Sequence, residues 1–163
     1  MPSAPPPATR EPWNETRARE IATRSAAIKG GLLPALHELQ RVFGQVPGDA
    51  IAILADAFNL SRAEVHGVVT FYHDFRSAPA GRHVLKLCRA EACQAVGGTS
   101  VAEAAKRQLK LDWNETSADG KWTLEPVFCL GLCASGPSAM LDGELLARLD
   151  SARLERVIDK VRE

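Results

Sequence analysis

Apolar side chains recur at helical spacing over the first half of the chain. Between residues 14 and 76, positions such as Leu36, Leu39 and Phe43 lie three or four residues apart, so they line one face of a helix. Asp49 precedes another such stretch and is an expected N-terminal cap. The pattern predicts a small bundle of about four helices.

Capping residues predict where individual helices begin. Asn14 or Thr16 is expected to cap a first helix, which continues to about Lys29 and stops at a Gly-Gly pair. Ser61 is followed three residues later by Glu64, the pattern of a capping box, in which each residue bonds to the backbone N–H of the other. These signals place the first and fourth helices.

Strand-like patterns appear in the second half of the chain. Residues 83–87 form a compact β-type run, and two Asp-Gly turns at residues 119–120 and 142–143 predict hairpins. Residues 99–109 and the segment that Asp150 caps predict helices. We expect the order β-α-β-β-β-α, with two helices against one four-stranded sheet, which is an α/β (α+β) layer arrangement.

Composition divides the chain into three parts. Residues 1–13 contain five prolines among small residues and predict a flexible Pro-rich tail. Residues 14–76 are the expected helical bundle. A run of Ser, Ala, Pro and Gly at residues 77–81 marks the start of a second domain, residues 77–163.

Charge and hydropathy limit the partners and the compartment. The 163 residues include twenty basic and twenty acidic side chains, so the formal net charge is zero and attracts neither nucleic acid nor an anionic membrane. No apolar run is long enough to span a bilayer. The N-terminus lacks the charged start and apolar segment of a secretory signal. We therefore expect a cytoplasmic protein with no nucleic-acid partner and no membrane segment.

Four cysteines form two pairs. Cys88 and Cys93 are separated by four residues, Cys129 and Cys133 by three, and thirty-five residues lie between the pairs. Each pair follows a predicted strand, so two loops at one end of a sheet can bring four thiolates together. In a reducing compartment such a set indicates metal ligands sooner than disulfides. Thiolate is a soft ligand that suits an iron–sulfur cluster.

Other uses of four cysteines remain open from the residues alone. A structural zinc site takes the same four thiolates, more often as C-x2-C pairs, and would make the chain a scaffold without a redox role. Separate buried thiols or disulfides are further alternatives. Small residues beside the cysteines, including Gly98, Gly131 and Gly136, favour a cluster because they let backbone N–H groups approach sulfur.

Several stretches of the chain match one known family: LPALHELQRVFGQVP, which begins at Leu33, then AEVHGVVTFYHDF, both cysteine pairs and CLGLCASGPSAMLDG. They resemble the thioredoxin-like [2Fe–2S] ferredoxin family, which includes the 24-kDa-type subunit of NADH dehydrogenase. The resemblance implies a helical bundle followed by a thioredoxin-like domain. It also implies one [2Fe–2S] cluster, with Cys88 and Cys93 on one iron and Cys129 and Cys133 on the other.

The resemblance also implies a redox complex. SRAEVHGVVTFYHDFR and LCRAEACQAVGG look most like the gamma subunit of molybdenum-containing, NAD-dependent formate dehydrogenase. The expected partner is a flavoprotein subunit with FMN, an NAD(H) site and a [4Fe–4S] cluster. Through it we expect a catalytic formate dehydrogenase subunit that carries the molybdenum cofactor and iron–sulfur clusters.

The chain itself has no G-x-G-x-x-G motif, so no NAD site and no active site are expected on it. Respiratory NADH dehydrogenase (complex I) and the bidirectional NAD-reducing hydrogenase use similar subunits and stay open as parent complexes. A free-standing ferredoxin is a further alternative.

Overall fold

The protein is described from a computed structural model that covers residues 10–162, with side chains to residue 161. The chain divides into two compact units and passes from the first to the second after Pro79. Residues 1–9, which make up most of the predicted tail, lie outside the described residues.

The first unit is a helical bundle. Its helices within the described residues are α1 (Glu15–Ala26), α2 (Leu32–Phe43), α3 (Gly48–Phe58) and α4 (Arg62–Phe71). Their apolar faces bury a common core that includes Ile21, Leu36, Leu39 and Leu54. Burial of these stripes holds the helices together, and the predicted bundle is confirmed.

Side-chain caps begin two of these helices as predicted. The Oδ1 atom of Asn14 accepts the Arg17 N–H at 3.0 Å at the start of α1. At the start of α4, Ser61 Oγ accepts the Glu64 N–H at 3.2 Å, and the Glu64 carboxylate accepts the Ser61 N–H at 2.8 Å. Each bond satisfies a backbone donor that the first helical turn leaves open.

Two helix boundaries differ from the prediction. Helix α1 ends at Ala26, before Lys29, because the chain tightens into a turn where the Ile28 N–H donates to the Ser25 carbonyl. The cap of α3 is Pro47 and not Asp49. Pro47 has an extended backbone and a fixed φ, so the helix begins directly after it, and Asp49 lies in the first turn.

The second unit contains one mixed sheet. Its strands are β1 (His83–Cys88), β2 (Glu115–Thr116), β3 (Trp122–Val127), β4 (Ala139–Leu141) and β5 (Glu144–Leu146). They lie in the order β2-β3-β1-β4-β5. The predicted run and two hairpins amount to five strands, so the stated total of four was one short. β2 pairs with β3 across the Asp119-Gly120 turn, as the first hairpin predicted.

Helices α6 (Gly98–Leu109) and α7 (Ser151–Arg162) pack on one face of this sheet, and the short helix α5 (Glu91–Ala95) precedes α6. Leu85 and Leu124 of the sheet pack in one core with α6 and with Leu154 and Ile158 of α7. Helix α7 is capped by Asp150, as predicted. The short α5 was not predicted.

The central strands position two loops side by side. β1 is parallel to β3, and Cys88 pairs with Val127 at the end of this ladder. Parallel neighbours end at the same edge of a sheet, so the loops that follow β1 and β3 start together. No helix within residues 10–162 is long and apolar enough to cross a membrane.

Candidate functional site

The four cysteines lie on these two loops. Cys88 ends β1, and Cys93 lies in α5 directly after it. Cys129 follows β3 by two residues, and Cys133 begins a short 3-10 helix. Cys88 and Cys93 are buried, whereas Cys129 and Cys133 are exposed. The site therefore has an inner pair and an outer pair of thiols.

The sulfur of Cys88 is surrounded by hydrogen-bond donors. Burial raises the pKa of its thiol, but hydrogen bonds with the Ala90 N–H, the Cys93 side chain, the Cys129 N–H and the Ser138 hydroxyl lower the pKa below its ordinary value. The Cys129 N–H comes from the second loop. The two loops therefore meet at the sulfur of Cys88.

The outer pair is close enough to share one ligand. The sulfurs of Cys129 and Cys133 are 3.6 Å apart, and the Gly131 N–H donates to Cys129 Sγ at 3.3 Å. The hydrogen bond with Cys129 raises the pKa of Cys133, as do the negative charges of Cys129, Cys93 and Cys88. The sulfur of Cys133 thus lies within electrostatic reach of the other three cysteines.

The outer loop has an unusual backbone. Cys129 has a φ of 90° and Gly131 a φ of 76°, both in the left-handed region. Glycine enters this region freely, but for a residue with a Cβ it is costly. The loop therefore holds Cys129 in a strained conformation, and such strain is often found at functional sites.

Two glycines make room for Cys93. A Cβ at Gly98 would lie 2.6 Å from the Cys93 carbonyl oxygen, and a Cβ at Gly136 would lie 3.2 Å from Cys93 Sγ. Larger side chains at either position would displace this cysteine. The prediction that small residues surround the cysteines is confirmed here, together with the N–H bond from Gly131 to sulfur.

Ser138 was missed by sequence reasoning. Its side chain is 3% exposed, and its Oγ lies 3.5 Å from Cys93 Sγ. Its carbonyl accepts the Cys88 N–H at 3.0 Å across the β1–β4 side of the sheet. A serine that directly precedes a strand beside the cysteine loops was the available signal.

The donor set is compatible with an iron–sulfur cluster, because all four side chains are free thiols and a [2Fe–2S] cluster takes two thiolates on each of two irons. Within the described residues, no group of three or more His, Cys, Asp or Glu side chains is arranged to hold a metal ion.

Apolar side chains lie on the surface beside the cysteines. Phe128 directly precedes Cys129 and is 75% exposed. Val96 follows α5, is 55% exposed, and its Cγ2 would lie 3.2 Å from a Cβ at Gly136. Exposed apolar surface of this kind often marks a contact with another protein.

Comparison with known proteins agrees with this geometry. A family model for the thioredoxin-like [2Fe–2S] ferredoxin matches residues 18–162. The chain belongs to this family. The thioredoxin-like fold that the resemblance implied is thereby confirmed.

Relatives within the family belong to redox complexes. The chain is 31% identical to the HndA component of the NADP-reducing hydrogenase of Solidesulfovibrio fructosivorans, over 80% of this chain and 76% of that protein. It is 33% identical to one component of the NADH-quinone oxidoreductase of Escherichia coli strain K12, over 84% of this chain and 80% of that protein.

A solved structure is also similar. The crystal structure of an NAD+-reducing [NiFe]-hydrogenase in the air-oxidized state matches 81% of this chain with a TM-score of 0.69 and 26% identity. The chain spans about a quarter (23%) of the length of the matched hydrogenase chain.

Proposed function

We propose that this chain is the [2Fe–2S] electron-transfer subunit of a cytosolic NAD-dependent formate dehydrogenase complex. The observation that carries the proposal is the convergence of two cysteine pairs at the ends of the parallel strands β1 and β3. The cluster supplies a one-electron carrier, and the chain supplies its ligands and surroundings.

In this proposal all four cysteines are ligands. Cys88 and Cys93 hold the inner iron, and Cys129 and Cys133 hold the outer iron. The buried inner pair anchors the cluster to the sheet. The exposed outer pair leaves one edge of the cluster accessible, which electron exchange with another protein requires.

The proposed partner is a flavoprotein subunit that carries FMN, an NAD(H) site and a [4Fe–4S] cluster. A flavin exchanges a hydride with NAD and single electrons with iron–sulfur centres, so it needs a one-electron carrier next to it. Exposed Phe128, which precedes Cys129, and exposed Val96, which lies near Gly136, support a protein contact at the cysteine loops. The relatives are subunits of complexes that act on NADH or NADP, which supports the same class of partner.

The formate assignment rests on the resemblance of residues 61–76 and 87–98. In this assignment, the flavoprotein also contacts a catalytic subunit that carries a molybdenum cofactor and iron–sulfur clusters. The equivalent subunit of complex I or of an NAD-reducing hydrogenase is the second candidate, favoured by the relatives described above.

The first test is the EPR spectrum of the purified full chain after reduction with dithionite, with iron and zinc quantified on the same sample. We expect an S = 1/2 signal and two irons per chain, as a [2Fe–2S] cluster requires. Cys133→Ser should lose the signal, while Ser135→Ala, in the same 3-10 helix, should keep it. One zinc per chain without a signal would instead establish a structural scaffold.

The second test identifies the parent complex. The native complex is purified through a tag on this chain and assayed for NAD reduction with formate and with hydrogen, and for quinone reduction with NADH. Formate-dependent NADH formation supports the proposal. NAD reduction with hydrogen alone would identify the parent complex as an NAD-reducing hydrogenase, and quinone reduction alone would identify it as complex I. Neither result would contradict the cluster assignment.

A further inference from the structure

We propose that Ser138 is a positioning residue that sets the reduction potential of the cluster by hydrogen bonding to the sulfur of Cys93. The inference rests on the proposed function, because it requires a cluster held by Cys88 and Cys93. It adds a side chain outside the four ligands to the site.

The position of Ser138 is fixed by its backbone. Its carbonyl accepts the Cys88 N–H at 3.0 Å, so the residue is tied to the last residue of β1. Its side chain is 3% exposed, and its Oγ lies 3.5 Å from Cys93 Sγ. The hydroxyl is thus buried beside the sulfur of the inner Cys93, on a residue whose backbone is bonded to Cys88.

The chemistry decides the direction of this hydrogen bond. Cysteines that bind metal are deprotonated, so their sulfurs only accept and the Ser138 hydroxyl must donate. Addition of one electron makes the cluster more negative and strengthens a bond from a donor. The hydrogen bond therefore stabilises the reduced state and raises the potential. One electron enters the cluster and the proton stays on Oγ.

Burial increases this effect. Water weakens hydrogen bonds by competing for donor and acceptor, but a buried bond is electrostatically stronger. The Gly131 N–H that donates to Cys129 Sγ belongs to the backbone and persists when side chains change. The Ser138 hydroxyl is a donor that a substitution can remove without changing a ligand.

The test is an EPR-monitored redox titration of the full chain carrying its cluster. Ser138→Ala should lower the midpoint potential, so that the ratio of reduced to oxidised cluster at a fixed potential falls about threefold to tenfold. A tenfold fall corresponds to about 59 mV for one electron. Ser138→Thr keeps the hydroxyl and should restore the potential, while Ser138→Val, of the same shape as threonine, should not.

A matched control removes a buried hydroxyl elsewhere in the same unit. Thr123 is buried on β3, where its Oγ1 accepts the Gly81 N–H. It lies four residues before Val127, about 13 Å along the strand from the end where the cysteines gather. Thr123→Val should leave the potential unchanged although it lowers stability.

The outcomes separate this inference from the proposed function. Wild-type protein without a cluster overturns both. A cluster whose potential is the same in wild type, Ser138→Ala and Ser138→Val overturns only the role of Ser138. Loss of the cluster from both apolar variants, with retention in Ser138→Thr, would assign the hydroxyl to cluster binding and overturn a role in setting the potential.

Discussion

Replacement of Gly98 by alanine is expected to push Cys93 away from the other thiols. Gly98 is the first residue of α6 and lies against the end of α5. An added Cβ would be 2.6 Å from the carbonyl oxygen of Cys93 and 2.9 Å from its carbonyl carbon. Both are backbone atoms, so no side-chain rotation relieves the overlap.

The size of the effect follows from these distances. An ordinary van der Waals contact of a Cβ begins at 3.4 Å, so the two segments must separate by about 0.8 Å. Overpacking of this kind costs about 1–3 kcal/mol. If the free energy of unfolding falls by about 2 kcal/mol per molar urea, the urea concentration at the unfolding midpoint should fall by roughly 0.5–1.5 M.

The assay combines urea unfolding, followed by circular dichroism, with iron per chain. Gly98→Ala should lower the urea midpoint and the iron content, because Cys93 moves away from Cys88. Gly67→Ala is the matched control, since Gly67 lies within α4 with nothing within 4 Å of an added Cβ. It should stabilise by about 0.5–1 kcal/mol through helix propensity. A Gly98→Ala protein with an unchanged midpoint and full iron content would refute the packing argument.

Three further predictions concern stability. Asn14→Ala should lower the unfolding free energy by about 1 kcal/mol in urea titrations, because α1 loses its cap, and no change would contradict this. The hydrogen bond from Arg41 lowers the pKa of Glu38. The ionised carboxylate therefore stabilises the folded state above the ordinary glutamate pKa of about 4.3, and this stabilisation is lost as the pH falls through the lowered pKa of Glu38. Glu38→Gln should therefore show a smaller fall in urea midpoint on acidification below about pH 4.3, and an equally steep fall would exclude this pair as a cause. Leu85→Ala, fully buried in β1, should cost about 2–5 kcal/mol. Leu145→Ala, 54% exposed on β5, should change stability by about 0.5 kcal/mol or less, and equal effects would contradict the burial argument.

Local signals in the sequence predicted the parts of the fold that depend on neighbouring residues. The Ser61–Glu64 box and the Asn14 cap were found because their partners lie three residues away. The convergence of the cysteine loops was predicted because each pair follows a strand. Asp49 was wrong as a cap because a proline one position before the helix set its start.

Features that depend on distant residues were harder to predict. The order of the strands in the sheet was not predicted, since it depends on the pairing of β1 with β3 and β4, which are distant in the chain. Ser138 was missed because its contacts with Cys88 and Cys93 join residues that are forty-five or more positions apart. A single serine is polar and does not belong to a hydrophobic pattern that would predict its burial, so only the folded sheet shows that it lies beside the cysteines.

The parallel ladder of β1 and β3 also affects how the site responds when its charge changes. Six residue pairs join the two strands, with β1 flanked on its other side by β4. Backbone amides at the centre of such a sheet exchange with solvent only when much of the domain opens. Cys88, the last residue of β1, is thus attached to the centre of the sheet. We expect its sulfur to shift little when a cluster held there changes oxidation state, which keeps the nuclear rearrangement of electron transfer small, so that rapid exchange needs little driving force.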